Sequence, residues 1–245
     1  TNMSNTLDNC QAAQYRWRVN FLGAECHSDA GVFEYISNTD SMSLDPAFRF
    51  TRSGVYEVTL VVTNDCGDSE YTETVTVGEL PQVELDPIAD FCDVASFIPT
   101  FNAINCELPI DAYLWDFATS NNMPTSSNDA NPGTINYGVG THIIELSVTN
   151  LCGTTTDANT FVVLQGPGVD LNLSKDFVCL GDTISVTNNS TGDNLSYFWS
   201  VEPNDVTISN PTDSMPIFDF TNAGIGDYQI FVSIGNAVCD TIDQA

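Results

Sequence analysis

The chain has 245 residues, of which 33 are acidic and 5 are Lys or Arg, so its formal net charge is −28. Five cations cannot neutralise a run of phosphates, which excludes nucleic acid and an anionic membrane surface as partners. An apolar fraction of 42% with 10% aromatics excludes a disordered acidic tail. No apolar run reaches the ~18 residues of a membrane-spanning helix, so membrane insertion is not expected. The length suggests two domains or three small ones.

Three segments of the chain repeat one pattern, in which a Trp-centred strand precedes a Gly-led alternating strand and a turn with a cysteine. The Trp-centred strands cover 15–19, 113–117 and 197–201, the Gly-led strands cover 54–62, 140–148 and 226–234, and the turns cover 64–67, 150–153 and 236–239. The leading glycines, Gly54, Gly140 and Gly226, are 86 and 86 residues apart. This regular spacing predicts three tandem copies of one domain.

Apolar and polar residues alternate along each Gly-led segment, which is typical of a strand with one buried face. In the first copy Tyr56, Val58 and Leu60 share one face, whereas Glu57 and Thr59 share the other. No segment has a helical stripe, and Asn, Asp, Gly and Pro separate runs rich in Thr, Val, Ile, Tyr and Phe. We therefore predict an all-β chain of sandwich domains.

The predicted domains cover 1–78, 79–165 and 166–245, and their net charges are −7, −11 and −10. The linkers between them, 78–81 and 165–168, have only a few residues. Short linkers predict end-to-end stacking into an extended rod. Evenly spread negative charge is expected to keep such a rod soluble and to make divalent cations its most suitable small partners.

The repeat resembles the PKD repeat, an immunoglobulin-like sandwich. The resemblance rests on a Tyr-x-Trp strand, a Gly-x-Tyr-x-Val-x-Leu-x-Val-x-Asn strand and a closing strand, and it covers all three copies. Trp115-Asp116-Phe117 keeps the first half of the family's Trp-Asp-Phe-Gly-Asp-Gly motif, and the other two copies depart further. The added cysteines are similar to those of PKD-type repeats in large surface adhesins of gliding bacteria, where the repeats form long exported stalks.

The large aromatic side chains are expected to be structural. Each Trp should fill the core of its sandwich, with an exposed, sugar-stacking Trp as the functional alternative. Tyr56 and Tyr228 lie two residues after the leading Gly, where a tyrosine corner would place them, and His142 holds the equivalent position in the middle copy. We expect His142 to be a packed or edge histidine.

The eight cysteines, without any Cys-x-x-Cys pair, indicate disulfides and therefore an oxidising, extracellular compartment. In a sandwich the second and sixth strands run the same way, so their ends meet at one pole. Cysteines at those ends of the middle copy predict a Cys106–Cys152 bridge. The matching positions of the first copy predict Cys10–Cys66.

Cys92 precedes the second strand and lies at the opposite pole, roughly 25 Å from Cys152, which is too far for a disulfide. In a stacked rod that pole faces the turn of the next copy, which predicts a bridge from Cys92 to Cys239. The alternative is a Cys179–Cys239 bridge within copy three. Cys26 has no evident partner.

The sequence contains no catalytic motif. Two histidines and one lysine lie in unrelated contexts, and no nucleophile elbow, zinc-protease helix or phosphate loop is present, so we expect no enzymatic activity and no cofactor other than calcium. Calcium prefers carboxylate and carbonyl oxygens. Acidic clusters near the two junctions are its candidate ligands, with a solvated acidic face as the alternative: Asp86, Asp90 and Asp93 at the first, and Asp170, Asp176 and Asp182 at the second.

A short pattern of Asp, then Ser or Thr, then an apolar residue occurs four times. It is similar to an O-glycosylation sequence of the bacterial group in which the adhesin resemblance lies. The candidate acceptors are Ser41, Thr183, Ser214 and Thr241.

Taken together, the patterns predict the non-enzymatic stalk of a large secreted cell-surface adhesin, used in gliding or surface attachment. Its expected partners are the neighbouring repeats, with surface polysaccharide or another cell-surface protein as further candidates. Accessory modules of a secreted hydrolase are the main alternative, and direct carbohydrate binding through exposed aromatics is a third. Flanking domains would discriminate the first two, and a glycan array would test the third.

Overall fold

The computed structural model describes residues 12–28, 33–118, 125–239 and 242–244, the last as backbone only. Its elements are strands and turns, which confirms the all-β prediction. The strands form three successive groups, and every strand pair among the described residues stays within its group. The exact domain boundaries stay predictions.

Copy one contains a three-stranded sheet, β1-β4-β5, and a β2-β3 hairpin. Its strands are β1 (Gln14–Gly23), β2 (Phe33–Ile36), β3 (Ala47–Phe50), β4 (Gly54–Asn64) and β5 (Gly67–Val77). The strands β4 and β5 pair along eleven positions from Gly54↔Val77 to Asn64↔Gly67, so they form one long hairpin.

The strands of copy two are β6 (Gln82–Leu85), β7 (Phe91–Cys92), β8 (Ala95–Phe97), β9 (Phe101–Ile104), β10 (Ala112–Asp116), β11 (Ser126–Ser127), β12 (Ile135–Tyr137), β13 (Gly140–Asn150) and β14 (Gly153–Leu164). They form the sheet β11-β10-β13-β14-β7 and the pairs β12-β8 and β6-β9. The β13–β14 hairpin is the counterpart of β4–β5 in copy one.

Copy three has two sheets, β15-β16-β19-β18 and β17-β20-β21. Its strands are β15 (Leu171–Leu173), β16 (Thr183–Asn188), β17 (Ser196–Glu202), β18 (Thr207–Ile208), β19 (Ile217–Asp219), β20 (Gln229–Gly235) and β21 (Ile242–Gln244).

The repeated Trp holds the same register in every copy. Its backbone partner is the fourth residue after the corner Tyr or His: Leu60 for Trp17, Leu146 for Trp115 and Val232 for Trp199. Trp115 is 0% exposed and Trp199 is 3% exposed, which confirms the predicted core role in copies two and three. Trp17 is only partly buried, because the described part of copy one lacks the strands that cover this face in copy two.

Candidate functional site at the domain junctions

Two disulfides cross the junctions between copies. Cys26 of copy one is joined to Cys106 of copy two, with Cα atoms 5.6 Å apart. Cys92 of copy two is joined to Cys239 of copy three, with Cα atoms 5.0 Å apart. Both Cα distances lie within the usual disulfide range. Each copy is therefore covalently tied to the next by a bridge as well as by the linker.

The first bridge corrects the predicted pairing of Cys106 with Cys152. Cys152 is a free, exposed cysteine, and Cys106 takes Cys26, for which the sequence indicated no partner. The placement of Cys106 past the second strand was sound, but that pole of copy two also meets copy one. Stacking brings a third cysteine to the pole, and pairing rules for a single sandwich do not include it.

The second bridge, Cys92–Cys239, is the pairing that the stacked-rod geometry predicts. The alternative bridge within copy three is not formed, since Cys179 is free and exposed. Cys66 is disulfide-bonded, whereas Cys10, its predicted partner, lies outside the described residues.

An asparagine of the cysteine turn fastens each linker to the copy that follows it. Asn150 is 3% exposed, and its side-chain amide donates to the Glu79 carbonyl of the first linker at 2.8 Å. Its Oδ1 accepts the backbone N–H of Cys152 at 2.9 Å, which closes the turn. Asn236 repeats both contacts in copy three: its amide lies 3.4 Å from the Gln165 carbonyl of the second linker, and its Oδ1 accepts from the Val238 N–H. The same amide also donates to the Asp193 carbonyl within copy three at 3.0 Å.

Gly78 of the first linker lies against side chains of copy two. A Cβ on this residue would lie 2.0 Å from the Leu108 side chain and 3.4 Å from Sγ of Cys152. The linker backbone is therefore packed directly against copy two. This packing and the Asn150 contact leave the short linker little freedom.

Replacing Asn150 with Ala should destabilise the first junction. The substitution removes the linker contact and leaves the Glu79 carbonyl without its donor, so we expect a loss of about 1–3 kcal/mol in the free energy of unfolding of copy two. Asn64→Ala is the matched control, because Asn64 makes the same turn contact with Cys66 in copy one. Urea unfolding followed by circular dichroism measures both; equal losses would contradict a role for the linker contact.

The three acidic residues predicted at the first junction act separately as hydrogen-bond acceptors. Asp86 accepts from the Thr100 hydroxyl, Asp90 accepts from the Val162 N–H at 2.8 Å, and Asp93 accepts from the Gly166 N–H of the second linker at 2.7 Å. Asp93 therefore belongs structurally to the second junction. These contacts explain the positions of the three carboxylates without a metal ion.

The second acidic set does not converge either. Asp182 pairs with Lys175 at 3.1 Å, and the hydrogen bond from Lys175, aided by the Cys179 N–H, lowers the pKa of Asp182. The backbone N–H of Asp170 donates to the Ser190 hydroxyl oxygen at 3.1 Å, and Asp176 is exposed. Within the described ranges, the group with metal-ligand spacing is Cys26, Glu79 and Cys106, and both of its cysteines are in the disulfide.

Calcium binding stays a prediction from the charge pattern. If the junction carboxylates bind calcium, millimolar calcium should raise the melting temperature of the chain and equimolar magnesium should not, because calcium accepts irregular oxygen shells. Differential scanning calorimetry measures this, with an Asp93→Asn variant to locate the site. An unchanged melting temperature at millimolar calcium would remove the prediction.

The three corner residues make the same contact. The hydroxyl of Tyr56 donates to the Arg52 carbonyl at 2.9 Å, and that of Tyr228 donates to the Gly224 carbonyl at 3.1 Å. His142 Nε2 lies 2.7 Å from the Gly138 carbonyl, again four residues upstream. Both predicted tyrosine corners are present, and His142 performs the same structural role with an imidazole N–H. Burial also raises the pKa of Tyr56.

Each Trp also anchors a loop through its indole N–H. The acceptors are the carbonyls of Ser43, Asp129 and Asp213, at 3.0, 3.1 and 2.9 Å from the indole nitrogens of Trp17, Trp115 and Trp199. The sequence does not reveal these contacts directly, because the loop lies 26 residues after the first Trp and 14 after the others.

These loops explain two of the four predicted glycosylation patterns. The Asp40 carboxylate accepts from the Met42 N–H, and the Asp213 carboxylate accepts from the Met215 N–H, so both segments are Asx turns that present carbonyls to a Trp. Ser41 and Ser214 in these turns are partly buried, and Thr183 is exposed. Thr241 lies outside the described residues. Glycosylation stays a prediction at all four.

The buried Tyr137 predicts an alkaline transition. It is 1% exposed, and burial, with a smaller effect of Asp116, raises its pKa to about 12. An unfolded tyrosine ionises near pH ~10, so the stabilisation is complete below that pH and is lost as the pH rises to about 12. A phenolate absorbance titration should show a late ionisation that Tyr137→Phe lacks. Tyr71→Phe, which alters an exposed tyrosine, should retain it.

No family model matches the chain, and no curated protein sequence matches it significantly. The chain is similar in structure to the titin I-band fragment I67–I69, with 12% identity, TM-score 0.45, and coverage of 95% of this chain and 87% of that one. It is also similar to three N-terminal domains of the bacteriophage RB49 Highly Immunogenic Outer Capsid protein, with 11% identity, TM-score 0.48, and coverage of 94% and 84%. Drosophila OTK domains 3–5 match at 16% identity and TM-score 0.42, with coverage of 94% and 83%. Similarities at this level assign no function to the chain.

The described residues include no helix long and apolar enough to cross a membrane.

Proposed function

We propose that the chain is a segment of the non-enzymatic stalk of a large, secreted bacterial cell-surface adhesin. Its three immunoglobulin-like sandwiches are PKD-type repeats, and the adhesin serves gliding or surface attachment. A stalk must hold its tip away from the cell and transmit tension without lengthening. The functional part of such a segment is its junctions rather than a pocket.

The overlap of the two inter-domain disulfides carries this proposal. One bridge closes the chain from Cys26 to Cys106, and the other closes it from Cys92 to Cys239. The two loops share the segment between Cys92 and Cys106, so all of copy two lies inside one loop or the other. Tension applied to the ends passes from bridge to bridge through residues 92–106, and the rest of copy two cannot be drawn out while both bridges are intact.

The linker contacts support the same role. Asn150 and Asn236 bind carbonyls at the two junctions, and Gly166 of the second linker donates to Asp93 of copy two. A net charge of −28 opposes lateral association of parallel rods. Disulfides persist in oxidising compartments, which fits an extracellular position.

The parent polypeptide provides the direct test. Intact cells of the source organism are treated with protease, and the released peptides are mapped onto the full-length protein that contains this segment. We expect surface release and many further copies of the Gly-led strand at a spacing of roughly 86 residues. A catalytic domain in the same polypeptide, with no further copies, would overturn the stalk and favour accessory modules of a hydrolase.

A further inference from the structure

The junction between copies one and two contains a carboxylate beside its disulfide. Glu79, in the first linker, has a carboxylate oxygen within 4.8 Å of Sγ of both Cys26 and Cys106. Cys106 is 2% exposed, and the Glu79 side chain is 32% exposed. Two sulfurs and one carboxylate oxygen therefore meet at a partly enclosed point where copy one, the linker and copy two come together.

Two contacts besides the S–S bond hold the cysteines of this junction close to each other. The Glu25 N–H donates to the Glu107 carboxylate at 2.5 Å, so the residues next to Cys26 and Cys106 are joined across the junction. Sγ of Cys26 also lies 3.8 Å from the Asn105 carbonyl oxygen. Both contacts remain available when the bridge is reduced, so reduction leaves the two sulfurs beside the carboxylate.

Glu79 is held at its backbone and at its side chain. Its carbonyl accepts from the Asn150 amide at 2.8 Å, and its Oε2 lies 3.4 Å from Nε2 of His27. A hydrogen bond from an imidazole N–H orients a carboxylate, and ligating carboxylates in metal sites have such outer-shell partners. Glu79 is therefore positioned to act as a ligand.

The chemistry of these donors selects the metal. Thiolate sulfur favours zinc, whereas calcium and magnesium prefer shells of oxygen. Zinc binds Cys sulfur at ~2.3 Å and carboxylate oxygen at ~2.1 Å in a tetrahedral shell, whose ligand atoms are then roughly 3.5 Å apart. Donor atoms within 4.8 Å of one another reach that spacing by a small rearrangement once the S–S bond is broken. The sequence does not indicate this set, because its two cysteines are 80 residues apart.

We propose that the reduced junction binds one Zn²⁺ ion through the thiolates of Cys26 and Cys106 and the carboxylate of Glu79. Water takes the fourth position, and His27 orients Glu79. A two-electron reductant, such as a phosphine or a dithiol, breaks the S–S bond and leaves two thiols, and zinc then displaces one proton from each. On reoxidation a disulfide or dioxygen accepts the two electrons, the bond re-forms and the ion is released. This inference concerns the reduced chain and does not depend on the stalk proposal.

The test measures zinc binding by the full chain, both oxidised and phosphine-reduced, in competition with a chromophoric chelator. The reduced chain should bind one equivalent of zinc that the oxidised chain does not bind. Cys26→Ser/Cys106→Ser should remove that equivalent. The matched control at the other bridge, Cys92→Ser/Cys239→Ser, should retain it.

Two further variants test the roles of Glu79 and His27, with cobalt(II) as a spectroscopic probe whose thiolate charge-transfer band reports the two sulfurs. His27→Ala should lower zinc affinity about tenfold and leave the band unchanged, because both thiolates remain. Glu79→Gln should lower the affinity further, and Glu84→Gln, at an exposed acid of copy two, should not change it. Equal zinc binding by oxidised and reduced chains, loss of the equivalent in both cysteine variants, or full affinity in Glu79→Gln would overturn the proposal.

Discussion

Reduction of the two inter-domain disulfides should lengthen the fully unfolded chain by roughly 700 Å under force, at ~3.5 Å per residue. With both bridges intact, a pulled chain runs from Cys26 directly to Cys106, back along the chain to Cys92, and then directly to Cys239. The residues bypassed on this path contribute no length. Atomic force microscopy on the chain held at its two ends, with and without a phosphine reductant, measures the difference.

A partial control locates the effect. The variant Cys92→Ser/Cys239→Ser keeps the first bridge, and its total extension should exceed that of the oxidised wild type by roughly 400 Å, because the chain beyond Cys106 can then extend. An oxidised wild-type chain that extends as far as the reduced chain would contradict the overlapping bridges.

Replacing Trp115 with Ala should cost about 3–5 kcal/mol in the free energy of unfolding of copy two. Trp115 is fully buried, lies 5.6 Å from the ring of Phe101 and 6.0 Å from that of Phe117, and donates its indole N–H to Asp129. The substitution therefore leaves a large cavity and releases a loop. Hydrogen exchange of β13 amides reports on copy two specifically and is the measurement of choice.

Two further substitutions serve as comparisons for the loss of stability caused by Trp115→Ala. Leu114→Ala changes the neighbouring residue, which is 49% exposed on the opposite face, and should cost below about 1 kcal/mol. Trp17→Ala should cost less than Trp115→Ala, because Trp17 is only partly buried. Equal losses at Trp17 and Trp115 would contradict the difference in burial between the two side chains.

Local features of the fold are predictable because they depend on residues close in sequence. The alternation after Gly54, Gly140 and Gly226 indicates strands with one buried face, and the Tyr two positions later indicates a corner contact. The sequence also predicts that His142 takes the place of the corner Tyr in copy two, since its position in the repeat is unambiguous. Periodicity and spacing are sufficient for these features.

Contacts between copies are harder to predict. The pairing of Cys26 with Cys106 depends on how one sandwich meets the next, and the sequence of either copy alone does not specify that meeting. Asn150 and Asn236 could have been noticed from the repeated Asn of the cysteine turn, but their linker partners lie 71 residues away. The Asp-Ser-Met patterns were interpreted as modification sites, whereas their carboxylates stabilise turns that support a Trp.

Disulfide mapping by mass spectrometry of the non-reduced, protease-digested chain tests the cross-linked rod most directly. The rod requires one peptide pair containing Cys26 and Cys106 and another containing Cys92 and Cys239, with Cys152 and Cys179 recovered as alkylated thiols. Recovery of Cys106 joined to Cys152, together with Cys179 joined to Cys239, would place each bridge within one copy and would contradict the cross-linking of neighbouring copies.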